Sequence, residues 1–133
     1  MTRSSLFRAA VLALPLALLL SGAALGQAPW VAPDAEKAKK SPLPAGAKAV
    51  ADGKKSAQIN CASCHGAGGK GDGAAAAALN PKPADWTSAR VQGESDGELF
   101  WKISNGRGAM PPWKHLPDNE RWSLIQYIRS LKK

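Results

Sequence analysis

The chain has 133 residues, a mass of 13.9 kDa and 18 Lys+Arg against 10 Asp+Glu, for a formal charge of +8. That length excludes a TIM barrel or a two-half dinucleotide-binding sheet and leaves room for one small domain. With 13 Gly and 10 Pro, long uninterrupted elements are not expected, and so small a core is helped by a covalent staple or a bound group.

The first 26 residues have the layout of a secretory signal. Arg3 and Arg8 give a positive start, Ala9 to Leu20 is an apolar run broken by Pro15, and small residues follow from Ser21 to Gly26. Cleavage is expected after Gly26 or Ala28. The competing reading is a retained membrane anchor, but the apolar run falls short of the ~20 residues a spanning helix needs. The two arginines are not adjacent and no cysteine follows the run, which argues against a twin-arginine route and a lipid anchor. The expected address is the periplasm. Export and the scatter of the basic residues argue against nucleic acid as a partner, and much of the positive charge reads as solvated surface.

Residues 27–47 (QAPWVAPDAEKAKKSPLPAGA) hold four of the prolines and no apolar period, so they read as a linker or extended tail. The domain proper is expected over 48–133, beginning with a short helix from Lys48 to Asn60. The alanine-rich run Asp72–Leu79 reads as a second, capped by Asp72 and ended by Pro81. A third starts at Ser95, where Ser95 and Glu98 have capping-box spacing. Leu99, Phe100 and Ile103 give it an apolar stripe, and Asn105-Gly106 stops it. The last runs from near Asp118 to the end, with Leu124, Tyr127, Ile128 and Leu131 on one face and Arg129, Lys132 and Lys133 at its negative pole. No alternating strand of convincing length is present. The expected fold is all-α, with three to five short helices.

The informative stretch is Cys61-Ala62-Ser63-Cys64-His65. A C-x-x-C-H run in an exported chain reads as c-type haem attachment. Two thiols one helical turn apart reach two vinyl groups of one porphyrin, and the next imidazole turns beneath the iron as proximal ligand. A loop carbonyl around Asn80 to Pro83 is expected to hold the other nitrogen of His65. The bland readings fare worse. A disulfide would close a tiny loop, a redox dithiol would need a βαβ frame, and zinc would need a second ligand pair when His115 is the only other histidine. Met1 leaves with the signal, so Met110 is the only thioether in the mature chain and lies in a Gly/Pro-rich loop unsuited to core filling. It is the expected distal ligand, with His115 as the rival that would make a bis-histidine centre.

From about Ala49 onward the chain resembles a class I monohaem cytochrome c domain. The resemblance rests on CASCHG at 61–66, NGRGAMPPW at 105–113 and ERWSLIQYIRSL at 120–131. It implies an all-α fold wrapped round one covalent haem c, with the first and last helices crossing. Cys61 and Cys64 would be the thioether attachments, His65 and Met110 the iron ligands. Trp86, Arg90 and Trp113 are candidates for contacts to the propionates or haem edge, or for plain packing. The sequence departs from the family at Ala57, four before the first cysteine, where a large apolar residue is usual. Trp30 or another residue of the N-terminal extension is expected to fill that gap.

With both axial positions filled and no carboxylate pair or nucleophile–base pair in view, the expected role is one-electron transfer rather than catalysis. Partners would be redox proteins docking transiently through acidic surfaces onto a monomer. The alternatives are a haem subunit of a larger dehydrogenase or oxidase complex, a membrane-anchored cytochrome if the signal is retained, and a haem sensor in which Met110 is displaced.

Overall fold

The computed structural model describes residues 29–133, so the expected signal at 1–26 lies outside the described residues. In chain order the helices are α1 (Asp34–Lys37), α2 (Ala47–Asn60), α3 (Ala62–His65), α4 (Ala89–Gly93), α5 (Asp96–Asn105) and α6 (Asp118–Ser130), with one 3-10 turn at Ala76–Ala78. Among the described residues there is no strand, only an isolated antiparallel bridge between Arg107 and Met110. No described helix is long and apolar enough to cross a membrane.

The fold is organised by the packing of α2 against α6, the most extensive helix–helix contact. Small residues on α2 make it close. A Cβ at Gly53 would sit 1.9 Å from the Ser123 carbonyl oxygen, so α6 lies on bare backbone there. Ser56 and Ala57 are buried one turn further on, and the Ser56 hydroxyl donates to Glu120 of α6 at 2.6 Å. Backbone proximity therefore takes the place of the bulky side chain missing at Ala57. The expected filling by Trp30 is not what closes this crossing. Trp30 is half-buried over α5, with the Lys102 ammonium 5.5 Å from its ring, whereas Leu43 of the N-terminal segment does pack on the core.

The apolar face of α6 is the predicted one, with Leu124, Tyr127 and Ile128 at 5 % exposure or less. Phe100 and Trp122 stack at 4.2 Å between α5 and α6, and Arg129 donates to Asp96 at 2.8 Å to tie the end of α6 to the start of α5. Ser95 caps α5 by accepting the Glu98 N–H at 3.1 Å. The reciprocal half of the capping box is replaced, because the Glu98 carboxylate pairs with Lys102 at 3.0 Å.

Two further expectations change. Asp72–Leu79 forms only the 3-10 turn, with no side-chain cap. Its alanines offer propensity but no apolar stripe to bury, and a helix this short needs tertiary packing to persist. The described part of 27–47 is docked rather than a free spacer. The Lys37 carbonyl accepts from the Ser95 hydroxyl at 2.9 Å, and α1 lies so close to Gly97 that a Cβ there would meet the Glu36 carbonyl at 2.0 Å. The Gln126 side chain bonds backbone groups of Pro44 and Gly46 further along.

Candidate metal centre

Cys61 ends α2 and begins α3, and the His65 and Cys64 N–H groups both donate to its carbonyl, at 2.8 and 3.2 Å. One turn of helix thus sets the two thiols and the imidazole side by side. Both cysteines are half-buried and unpaired. As a free thiol, Cys61 is pushed up to about 11 by burial and secondarily by the neighbouring Cys64.

The Nδ1 of His65 lies 3.0 Å from the Ala84 carbonyl oxygen, one residue beyond the expected Asn80–Pro83 segment. The turn that follows explains the choice. Asp85 accepts the Thr87 N–H and hydroxyl at 2.8 and 2.7 Å, and the Ser88 hydroxyl donates to the Asp85 carbonyl at 2.6 Å. These bonds, the Thr87 hydroxyl foremost, hold the Asp85 carboxyl below its usual 3.8 and fix the chain just after Ala84. Burial lowers the basicity of His65 below the ordinary 6.5, while the Ala84 carbonyl works the other way. A neutral ring with Nδ1–H donating leaves Nε2 as a free lone pair, the form a metal requires.

Met110 is presented by a tight loop. Gly106 ends α5 at φ 61° and ψ 178°, a region open to glycine, and a Cβ there would meet the Met110 carbonyl at 2.4 Å. Arg107 and Met110 then exchange backbone bonds at 2.8 and 3.0 Å, and the Trp113 N–H anchors the loop to the Ile103 carbonyl of α5 at 3.1 Å.

Cys61, Cys64, His65 and Met110 line one cleft of about 490 Å³, walled by apolar residues of α5 and α6 such as Leu99, Ile103, Leu124 and Ile128. The volume suits a cofactor. Among the described residues no cluster of three or more His, Cys, Asp or Glu could hold a bare metal ion. Two free thiols, one oriented imidazole and one thioether round an apolar slot are instead the donor set of a covalently attached iron porphyrin, and the residues fit that group.

Trp86, Arg90 and Trp113 also line the cleft, in different ways. Trp86 is buried and stacks on His65. Arg90 lies mostly in solvent and pairs with Glu94 at 3.3 Å, and Trp113 is half-buried. His115 is exposed beside Trp113, its ring 5.4 Å away, and does not line the cleft. Sequence reasoning missed the ion group in the wall. Lys102 is 10 % exposed and pairs with Glu94 at 2.8 Å and with Glu98, under the Trp30 ring. The i,i+4 spacing of Glu98 and Lys102 beside the apolar stripe of α5 was a visible signal for it.

A family model described as cytochrome C oxidase, cbb3-type, subunit III matches residues 48–128. Among solved structures, a chain of the reducing HAO-like protein complex of Kuenenia stuttgartiensis is 31% identical with a TM-score of 0.62, covering 70% of this chain. This chain spans about half of that one, 48% of its length. KustC0563, a c-type cytochrome, is 29% identical with a TM-score of 0.52, over 62% of this chain and 99% of its own. No curated protein matches. The helical fold, the cleft and the matched span together place the chain in this cytochrome c domain family, as an all-α class I monohaem cytochrome whose cofactor is one covalently bound haem c.

Proposed function

We propose that the chain is a periplasmic one-electron carrier, exported by the signal at 1–26. Cys61 and Cys64 would anchor the haem through thioethers, with His65 as the proximal ligand and Met110 as the distal one. The observation that carries this is the convergence of all four side chains on one cleft, with His65 Nδ1 already committed to Ala84.

When bound, the haem supplies a one-electron couple between ferric and ferrous iron. The residues do the rest. His65 and Met110, both lining the cleft, would hold the iron between them, which would leave no open position for a substrate. The thioether is a soft ligand that favours the ferrous state and raises the potential relative to two imidazoles. Leu99, Ile103, Leu124 and Ile128 keep the wall apolar, which disfavours the more highly charged ferric form. A net charge of +8, lowered by two on loss of Arg3 and Arg8, suits transient docking to acidic redox partners by a monomer.

The test mixes the reduced protein with carbon monoxide and titrates it potentiometrically. A carrier gives a one-electron Nernst curve and little carbon monoxide binding. Rapid binding would instead make the site a sensor or an enzyme. A second reading, a haem domain working inside a larger complex, is favoured by the neighbour that belongs to one and of which this chain spans about half. A stable partner co-purifying through salt washes would establish it.

A further inference from the structure

We propose that Trp86 is a positioning residue that fixes the plane of the His65 ring, keeps it dry, and thereby sets the reduction potential. The proposal rests on the reading of His65 as an iron ligand.

The indole and imidazole centroids are 4.7 Å apart and their planes differ by 24°, an offset stack. The hydrogen bond from Nδ1 to Ala84 fixes one direction in the imidazole plane, but one bond leaves rotation about its own axis. A flat surface lying nearly parallel to the ring removes that freedom. Both constraints come from one turn, residues 84 and 86, so they are set together.

Trp86 can act as a reference plane because it is itself clamped. Its backbone N–H donates to the Gly69 carbonyl at 2.7 Å, and its backbone carbonyl accepts from Gln92 Nε2 at 2.7 Å, which fixes the chain from which the indole springs. The same Gln92 nitrogen reaches the Ile128 carbonyl of α6 at 2.8 Å. Tyr127 meets the indole edge-on, with centroids 6.3 Å apart at 88°. Gly69 leaves the space the ring fills, since a Cβ there would come within 2.4 Å of Trp86 Cε3. Trp86 is 7 % exposed as a residue, and its stacked ring turns carbon rather than water toward this side of the imidazole. Polarity and access to solvent around a ligated imidazole tune the potential of the metal it holds.

The test compares the ferric holoprotein with Trp86→Phe and Trp86→Leu, with Trp101→Phe as a control outside the cleft. Proton NMR of the haem methyl groups reads the ligand plane, because the spread and order of their paramagnetic shifts follow the orientation of the axial imidazole. Potentiometry reads the consequence. The shift pattern is expected to depart from wild type modestly in the Phe variant and strongly in the Leu variant, with the potential falling in the same order as water gains access. The control keeps the wild-type pattern. A role in packing alone would lower the melting temperature and leave methyl shifts and potential at wild-type values in whichever Trp86 variant is assembled, and that result overturns the proposal. Failure of the underlying reading looks different, because wild-type protein would then itself lack the low-spin signature of a histidine-ligated haem.

Discussion

Replacing Gly53 by alanine probes the contact on which the fold turns. In an isolated helix the change is favourable by about 1 kcal/mol, because glycine loses more backbone entropy. Here the new methyl would lie 1.9 Å from the Ser123 carbonyl oxygen and 2.4 Å from its carbon. Neither atom can rotate away, so α2 and α6 must separate by roughly 1 Å along their shared face, which places the cost near the upper end of overpacking, about 3 kcal/mol. The net loss is about 2 kcal/mol, or about 8–16 °C in Tm for a domain of this size. The assay is thermal unfolding of the ferric holoprotein by far-ultraviolet circular dichroism. Gly93→Ala serves as control, because a Cβ there meets nothing within 4 Å and the expected change is within about 0.5 kcal/mol. A Gly53→Ala protein melting at or above wild type would refute the close-approach argument.

Lys102→Met should destabilise by about 1–3 kcal/mol, because it leaves the largely covered Glu94 and Glu98 without their shared cation, Glu94 keeping only the solvent-exposed Arg90. Adding Glu98→Gln should recover part of the loss in denaturant unfolding. Gly97→Ala drives a methyl into the Glu36 carbonyl and should lift α1 from α5. Limited trypsin digestion is then expected to cut faster after Lys37, Lys39 or Lys40, while an unchanged digestion rate would mean that α1 is held elsewhere. Because the Asp85 carboxyl is held below 3.8 in the folded chain, its stabilisation is complete above that value and is lost as pH falls through the folded pKa. Asp85→Ala should flatten the acid limb of stability against pH in urea titrations, and a limb as steep as wild type would exclude the contribution.

Much of this was legible in the sequence because local signals and tertiary demand agree. CxxCH is visible as the candidate attachment by spacing alone, and the stripe on α6 states which face it buries. The loop at 105–113 shows its sharp turn through glycine and its stiffness through Pro111-Pro112. What stayed hidden depends on approach between distant segments. The α2–α6 contact is set by Gly53, which in sequence reads only as a weak helix residue. The carbonyl facing His65 belongs to Ala84 because an Asp85–Thr87 turn fixes the chain there, a choice among neighbours that composition does not express. The run Asp72–Leu79 misled because alanine propensity without a face to bury does not sustain a helix. The described part of the segment, 29–47, misled because its polar, proline-rich composition conceals backbone groups that α5 and α6 take up.

Whether a single haem c is held between the His65 imidazole and the Met110 sulfur is read from the ferric optical spectrum of the protein beside that of Met110→Ala. A weak far-red sulfur-to-iron band is expected in the wild type and is lost in the variant, with a lower potential. A far-red band and potential that survive the substitution, or wild-type protein that remains colourless when made with a working haem-attachment apparatus, would contradict it.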